Sequence, residues 1–226
     1  MQERLIWLLS DKLEIIKNKT ILMIGLGGVG SYTLETLART YFNKLIIADN
    51  DTIDISNLNR QLMSNIDNIG KYKTDIWEKR IKKINPNCKV IKITEFITKD
   101  NLDKLFKEKV DYVIDACDTL ETKKEIIKYC LQNKIKFISS LGMANRVDAT
   151  KVKFSYLDKT AYDPLAKKLR LLLRKENIKG KIPVIYSDEI PLKTSKLGSI
   201  AHVPAIAGLL CTNYIINDIL KGVNHE

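Results

Sequence analysis

A glycine-rich turn near the start of the chain has the spacing that phosphate-binding loops use. Gly25, Gly27 and Gly30 form the pattern G-x-G-x-x-G, and Gly28 lies inside it. An apolar run precedes the turn and a helical pattern follows it, which predicts strand, turn and helix in that order. In this context the first glycine turns the chain, the second lets the backbone approach a pyrophosphate, and the third lets helix and strand pack closely. The alternative is a tight turn that binds nothing.

An acidic residue follows at the distance expected for a ribose contact. Asp49 ends the next apolar run, about 20 residues beyond the glycine turn, where a carboxylate accepts hydrogen bonds from both ribose hydroxyls. Taken alone, the turn and Asp49 indicate a dinucleotide. An NAD-dependent oxidoreductase is therefore the first hypothesis.

The polar segment after Asp49 favours a triphosphate over NAD. Its polar and cationic residues include Asp51, Ser56, Asn57, Asn59, Arg60, Gln61 and Lys73. Attack on an α-phosphorus needs cations that hold the outer phosphates and offset the charge on the leaving pyrophosphate, whereas a nicotinamide enzyme has no evident need for them. Arg60 suits a bidentate grip and Lys73 suits a point charge near the attacked phosphorus. For Ser56 and Asn59, a solvated polar loop explains the residue equally well.

Two carboxylates follow a later apolar run. Asp115 and Asp118 belong to the sequence D-A-C-D, at the predicted carboxyl end of a strand. Ligands bind at this edge of parallel sheets, and Mg²⁺ bridging to phosphate needs an oxygen ligand there. Asp118 is the predicted metal ligand, and Asp115 is predicted to support it or to cap the following helix.

Alternating strands and helices must position these groups. The predicted strands cover residues 20–24, 44–48, 90–93, 110–114, 136–139, 151–156 and 183–186. The predicted helices cover residues 31–40, 121–132, 164–175, a stretch through Trp77, Ile81 and Ile84, and the apolar C-terminal segment. This alternation predicts an α/β fold, a doubly wound, Rossmann-like, mostly parallel sheet with helices on both faces. The C-terminal part is expected to extend the same sheet, so that residues 1–226 form one domain.

The composition indicates a soluble, basic globular protein. The 226 residues include 38 Lys+Arg and 27 Asp+Glu, which gives a net charge of +11. Such a charge favours association with a polyanion such as RNA. The excess of Lys over Arg can also reflect genome composition alone. Glycine, proline and cysteine contents exclude collagen-like and disulfide-scaffold proteins.

The cysteines and the longest apolar segment bear on location. Cys88, Cys117, Cys130 and Cys211 are scattered, without a C-x-x-C pair, and no signal peptide is recognisable. Residues 197–217 carry no charged side chain but include histidine, proline and asparagine, so a core or dimer-facing helix is favoured over a membrane span. We expect a cytoplasmic protein that does not enter a membrane.

Four motifs together carry a family resemblance. G-L-G-G-V-G-S at 25–31, D-N-D-T-I-D-I-S-N-L-N-R-Q at 49–61, G-K-Y-K at 70–73 and D-A-C-D at 115–118 resemble the adenylating domain of the ubiquitin-activating-enzyme superfamily. The resemblance implies ATP and Mg²⁺ as cofactors. It places Arg60, Lys73 and Asp118 in catalysis, with Asp118 also on the metal. The implied nucleotide-binding residues are Gly25, Gly27, Gly28, Gly30, Asp49, Asp51, Asn57, Arg60, Gln61, Lys73 and Asp115.

Within that superfamily the chain is similar to the tRNA threonylcarbamoyladenosine dehydratase group. The similarity rests on the runs at 80–88, 140–145, 159–170 and 183–191, so it spans nearly the whole chain. It implies that ATP adenylates the carboxylate of threonylcarbamoyladenosine in a tRNA anticodon loop and that ring closure then expels AMP. No cysteine nucleophile is required, and Cys117 is expected to serve packing. The resemblance also implies a homodimer, with Arg4 as the candidate for an arginine that reaches the partner's ATP.

Other functions remain as alternatives. An enzyme that adenylates a ubiquitin-like or sulfur-carrier protein would usually carry paired C-x-x-C motifs or an acceptor cysteine. A non-catalytic nucleotide-binding module is disfavoured by Arg60, Lys73 and Asp118, and an NAD enzyme is the weakest hypothesis. The segment 192–202 is shorter than in many relatives, which alters any tRNA contact made there. No motif identifies a redox or sulfur-transfer partner protein.

Overall fold

A seven-stranded sheet forms the centre of the protein. The computed structural model describes residues 2–223, so residue 1 and residues 224–226 of the predicted domain lie outside the described residues. The strands are β1 (Thr20–Ile24), β2 (Lys44–Ala48), β3 (Lys89–Ile93), β4 (Tyr112–Asp115), β5 (Lys136–Ser140), β6 (Val152–Tyr156) and β7 (Pro183–Ser187). Their spatial order is β3-β2-β1-β4-β5-β7-β6, and only the pairing of β6 with β7 is antiparallel. The predicted doubly wound, mostly parallel sheet, extended by the C-terminal strands, is confirmed.

Helices cover both faces of the sheet. They are α1 (Glu3–Leu9), α2 (Lys12–Lys17), α3 (Gly28–Arg39), α4 (Lys73–Ile84), α5 (Leu120–Gln132), α6 (Pro164–Lys175) and α7 (His202–Val223). Alternate residues of β1 divide between the two layers, because successive side chains of a strand point to opposite faces. Ile21 and Met23 pack with α3, α4 and α7, whereas Leu22 and Ile24 pack with α5 and α6.

The sequence missed the two N-terminal helices, and several predicted boundaries differ from the structure by one to three residues. All seven residues of α1 remain outside the core, so it lacks the buried stripe that identifies a helix in a sequence. Helix α3 begins at Gly28 and not at residue 31, because Gly27 is its N-cap. The N-terminus of this helix therefore lies inside the glycine turn.

Helix α7 is the predicted apolar C-terminal helix. Residues His202–Gly222 are long and apolar enough to cross a membrane by length and composition alone. However, Val203, Ala207, Cys211 and Ile215 recur every four residues and are completely buried in the core against α3. The two backbones touch, since a Cβ at Gly208 would lie 2.4 Å from the Val29 carbonyl oxygen. One side of α7 therefore belongs to the core of the domain.

Candidate active site

The predicted nucleotide-binding turn lies where three parallel strands end together. Ile24 pairs with Ala48 on one side and with Asp115 on the other, so the segments that follow β1, β2 and β4 emerge side by side. Gly25 has a φ of +84°, and a Cβ there would lie 2.7 Å from the Ala116 backbone. Gly25 is thus required both by its left-handed backbone and by the close approach of the D-A-C-D segment.

The other glycines of the turn differ in what requires them. A Cβ at Gly30 would lie 1.9 Å from the Gly25 carbonyl oxygen, so the fold itself excludes a side chain there. A Cβ at Gly27 would meet only Gln61 Nε2, at 3.8 Å. Gly27 caps α3 without a side-chain hydrogen bond, and the first turn of α3 contains no acidic residue. The positive end of the helix dipole is therefore open to an anion.

Asp49 fastens the glycine turn to the segment after β2. Its Oδ2 accepts a hydrogen bond from the Leu26 amide at 2.6 Å, and its Oδ1 accepts one from the Asp51 amide at 2.8 Å. Burial raises the pKa of Asp49 above its usual value, and the charge of Lys73 and the two amide hydrogen bonds only partly oppose this shift. The carboxylate thus supports the turn, and its contact with a ribose stays a prediction.

Lys73 is held by two carboxylates at the first position of α4. It is 6% exposed, and its Nζ lies 2.7 Å from Asp51 Oδ2 and 3.9 Å from Asp49 Oδ2. A cation at a helix N-terminus is unfavourable, so these carboxylates are needed to keep it there. The Lys73 amide also donates to the Asp51 carbonyl at 3.1 Å. A buried ammonium group is therefore fixed next to the glycine turn.

Two predicted residues of the segment after Asp51 lie against the turn, and a third is buried in the same segment. Asn57 is buried and forms a capping box with Asp54 around a short 3-10 helix, Ile55–Asn57. Gln61 is buried beside Gly27. Arg60 is half-buried, and a Cβ at Gly28 would lie 3.6 Å from its Cγ. The structure thus brings Arg60 and Gln61 against the glycine turn.

Asp115 requires a correction. It is completely buried, and its Oδ2 accepts hydrogen bonds from Lys123 Nζ and Ser139 Oγ, each at 2.7 Å. Its other oxygen accepts from the Cys117 amide at 3.1 Å. Both carboxylate oxygens therefore have partners inside the chain, and the nucleotide contact of Asp115 stays a prediction. Its alternative role as a helix cap is wrong, because Thr119 is the N-cap of α5. The buried carboxylate of Asp115 thus anchors the D-A-C-D segment to α5 and β5.

Lys123 is the residue of this region that sequence reasoning missed. It is completely buried and also donates to the Ser140 carbonyl at 2.9 Å. Burial lowers the pKa of Lys123, but the attraction of Asp115, its hydrogen bond and the neighbouring groups together outweigh burial and raise the pKa above its usual value. The only sequence signal is that Lys123 lies one helical turn before Ile126 and Ile127 on the buried side of α5.

Asp118 and Cys117 occupy different environments. Asp118 is exposed, and its carboxylate forms no hydrogen bond or ion pair with the rest of residues 2–223. Burial raises the pKa of the Cys117 thiol well above its usual value, with a further contribution from Asp115, so the thiol stays protonated. A protonated thiol is a poor nucleophile. Asp118 is thus available to a ligand at this edge, whereas Cys117 is a packing residue.

Arg4 does not join this cluster within its own chain. It lines a surface cavity of about 380 Å³ together with Arg39, Tyr41 and Ile84. A second cavity, of about 370 Å³, lies on the α5 side and is lined by Phe96, Thr119 and Lys124 among others. Neither of these two cavities contains a residue of the glycine turn.

The cluster combines the parts needed to bind and activate a phosphate anhydride. An N-terminus of α3 without an acidic residue, Lys73 and Arg60 are sources of positive charge, Asp49 is a carboxylate beside the turn, and Asp118 is a carboxylate without a partner among residues 2–223.

Comparisons with known proteins agree with this arrangement. The tRNA threonylcarbamoyladenosine dehydratase of Bacillus subtilis (strain 168) is 39% identical over 233 residues, which cover 95% of this chain and 92% of the relative. Crystal structures of the E. coli tRNA N6-threonylcarbamoyladenosine dehydratase in complex with AMP and with ATP superpose with a TM-score of 0.94 at 31% identity, covering 99% of this chain and 95% of theirs. A probable molybdopterin-synthase adenylyltransferase of Porphyra purpurea is 36% identical over 129 residues, but the match covers 57% of this chain and 34% of the relative. Residues 3–224 match the ThiF family, and the chain belongs to that family.

Proposed function

We propose that this protein is an ATP-dependent dehydratase of threonylcarbamoyladenosine in tRNA. The observation that carries the proposal is the cationic cleft at the glycine turn, in a chain that resembles the dehydratases over nearly its full length. The substrate carboxylate attacks the α-phosphorus of ATP, and pyrophosphate leaves. The neighbouring carbamoyl group then attacks the activated carbonyl carbon, and AMP leaves with the carboxylate oxygen. The net change in the tRNA is the loss of one water.

Residues of the chain bind the phosphates of ATP and stabilise the negative charge that develops on them during the reaction. The α3 N-terminus and Arg60 bind the outer phosphates, and Lys73 stabilises the charge that develops on the leaving pyrophosphate. Asp49 accepts hydrogen bonds from the ribose hydroxyls, and it also accepts the hydrogen bond from the Leu26 amide that holds the glycine turn. Because Asp51 pairs with Lys73 and is largely exposed, the lysine can exchange this partner for phosphate.

The residues also fit Mg²⁺. In nucleotide sites, Mg²⁺ is usually held by one or two carboxylates together with phosphates and water. Asp118 is an exposed carboxylate without a partner among the described residues, and it lies beside the glycine turn because Ala116 packs on Gly25. Asp118 would hold the ion, which would offset phosphate charge during the reaction.

The tRNA backbone requires a basic surface outside the cleft. On α6, the side chains of Lys167, Lys168, Arg174 and Lys175 are exposed and have no carboxylate partner among the described residues. Arg170 differs, because its Nη1 donates to the Leu157 carbonyl at 2.9 Å and holds the preceding segment in place. We propose that the four exposed cations, and not Arg170, contact tRNA phosphates.

A homodimer in the cytoplasm completes the proposal. Large apolar side chains are exposed on α1, around the polar segment, on the residues before α7 and on α7 itself. They are Ile6, Trp7, Leu8, Ile55, Ile66, Leu197, Ile200 and Leu209. Ile6, Trp7 and Leu8 are consecutive, and adjoining exposed apolar side chains commonly mark an interface. Light scattering at micromolar concentration should give the mass of a dimer, and a monomer would contradict this part of the proposal.

Adenylation of a carrier protein is the second candidate. It is favoured by the partial match to a probable molybdopterin-synthase adenylyltransferase. Within residues 2–223, no group of three or more His, Cys, Asp or Glu side chains is placed to hold a metal. The match also covers far less of the chain than the match to the dehydratases.

The deciding experiment is a nucleoside analysis. The protein is incubated with ATP, Mg²⁺ and tRNA that carries threonylcarbamoyladenosine, and the nucleosides are examined by mass spectrometry. We expect loss of one water from the modified nucleoside and release of AMP, both dependent on ATP. Lys73→Ala serves as the inactive control. Unchanged nucleoside with the wild-type protein would refute the proposal, and tighter calorimetric binding of NAD than of ATP would refute its nucleotide.

A further inference from the structure

The crossover segment, residues 188–201 between β7 and α7, is fastened beside the candidate site. The Leu192 amide donates to the Asn145 carbonyl at 2.8 Å. The Asn145 amide donates to the Gly198 carbonyl at 2.8 Å, and the Gly198 amide donates to Asn145 Oδ1 at 2.7 Å. Because Asn145 follows β5 at the same edge of the sheet, these bonds fix the backbone just before Ser199.

Asn59 connects this fixed backbone to Arg60. Its Nδ2 donates to the Ser199 carbonyl at 2.9 Å, and its Oδ1 accepts from Arg60 Nη1 at 2.8 Å. Each end of the amide group therefore has one partner, which sets its orientation. Arg60 Nη1 also donates to the Ser56 carbonyl at 2.7 Å, so both hydrogens of this nitrogen are used.

With Nη1 of Arg60 bonded to Ser56 and Asn59, the edge of the guanidinium formed by Nε and Nη2 is available to a ligand. Arg80 shows how that edge binds an oxyanion, since its Nε and Nη2 donate to the two oxygens of Glu35 at 2.6 and 2.9 Å. The same edge of Arg60 makes no hydrogen bond within residues 2–223. The Arg60 stem passes Gly28, where the phosphates of a nucleotide are expected. Parallel Nε and Nη2 donors match a phosphate as well as a carboxylate.

We propose that Asn59 is a positioning residue for ATP binding. It fastens Arg60 to the crossover segment and thereby presents the Nε and Nη2 edge of Arg60 to the outer phosphates. The inference rests on the proposed function only in taking ATP as the ligand, and it does not depend on the acceptor substrate. A solvated polar loop no longer explains Asn59 equally well. The Nδ2 end of its side chain is bonded to a carbonyl 140 residues away in the sequence, and the Oδ1 end is bonded to the neighbouring guanidinium.

A double-mutant cycle on nucleotide binding tests this role. The affinities of ATP and AMP are measured by calorimetry for the wild type, Asn59→Leu, Arg60→Ala and the double variant. Losing one such hydrogen bond should weaken ATP binding about 2–10-fold in Asn59→Leu. AMP, which lacks the outer phosphates, should bind unchanged. In the Arg60→Ala background, Asn59→Leu should have no further effect, because it acts through Arg60. Asn87→Leu, an exposed asparagine just before β3 at the opposite edge of the sheet, is the matched control.

Three results would overturn the inference. They are unchanged ATP affinity in Asn59→Leu, an equal loss of AMP affinity, and an Asn59→Leu effect that persists in full without Arg60. A lowered melting temperature in Asn59→Leu but not in Asn87→Leu, with unaltered ATP binding, would likewise assign Asn59 to the fold alone. If tRNA is not dehydrated but the cycle shows coupling, the proposed function fails and the role of Asn59 stands.

Discussion

Replacing Gly27 with alanine should abolish tight ATP binding and leave the fold intact. The added Cβ meets only Gln61 Nε2 at 3.8 Å, and Gly27 has an ordinary φ of −76°. Alanine is a weaker N-cap than glycine, so the free energy of unfolding should fall by less than about 1 kcal/mol. The packing around Gly27 therefore leaves room for a methyl group, and we expect a bound phosphate to be what excludes it.

The expected loss of affinity follows from the hydrogen bonds that the methyl group would displace. A phosphate against Gly27 accepts hydrogen bonds from the first amides of α3, and each such charged bond is worth about 1.5–3 kcal/mol. Loss of one bond should weaken ATP binding about 10–150-fold. Calorimetric titration with ATP measures this, and a denaturant titration measures the stability of the same variant.

Gly30→Ala is the matched comparison. Its Cβ would lie 1.9 Å from the Gly25 carbonyl oxygen and 2.9 Å from Met23 Cε, so the chain must shift. Overpacking of this kind costs about 1–3 kcal/mol or more. The reasoning is refuted if Gly27→Ala binds ATP as tightly as the wild type, or if it loses as much stability as Gly30→Ala.

Lys73→Ala and Arg60→Ala should each lower turnover by about two to three decades and weaken ATP binding far less, because the charge on pyrophosphate grows toward the transition state. Steady-state kinetics check this, and near-normal turnover in either variant would remove that residue from catalysis. Burial raises the pKa of Glu35, but hydrogen bonds from Arg80 and Arg39 outweigh burial and hold the pKa below its usual value of 4.5. The ionised Glu35 therefore stabilises the folded protein above pH 4.5, and this stabilisation is lost as the pH falls through the lower pKa of the folded state. In denaturant titrations, Glu35→Gln should therefore lower the free energy of unfolding by about 1–3 kcal/mol at neutral pH and by less at acidic pH. An equal loss at neutral and acidic pH would show that the charge of Glu35 does not stabilise the fold. Replacing Lys167, Lys168 and Arg174 by alanine should flatten the slope of the logarithm of the tRNA binding constant against the logarithm of salt concentration by about 0.7–0.9 for each lost phosphate contact. The same variant should have a higher KM for tRNA and an unchanged affinity for ATP. An unchanged slope and KM would show that this surface serves only solubility.

The sequence alone determined the parts of the site that are local in the chain. The spacing of Gly25, Gly27 and Gly30 between an apolar run and a helix specifies a turn at a strand end. Asp49 closes the next strand, and Lys73 opens a helix after a glycine. These features depend on backbone propensity and side-chain period over a few residues, which a sequence displays directly.

The tertiary structure decided which of those residues face a ligand. Asp115 and Asp118 stand in one short motif, yet Asp115 is completely buried against Lys123 and Ser139 while Asp118 is exposed. The difference arises because β5 packs beside β4 and brings Ser139 next to Asp115. A one-dimensional pattern contains no information on that neighbour.

The same limit applies to the glycines and to Asn59. Only the built backbone shows that Gly30 is excluded from carrying a side chain by the fold and that Gly27 is not. The bond between Asn59 and Ser199 joins segments 140 residues apart, which meet because the chain returns from β7 across the carboxyl edge of the sheet. Local preferences fix each element, but the order in which the strands assemble decides which distant side chains come within hydrogen-bonding distance.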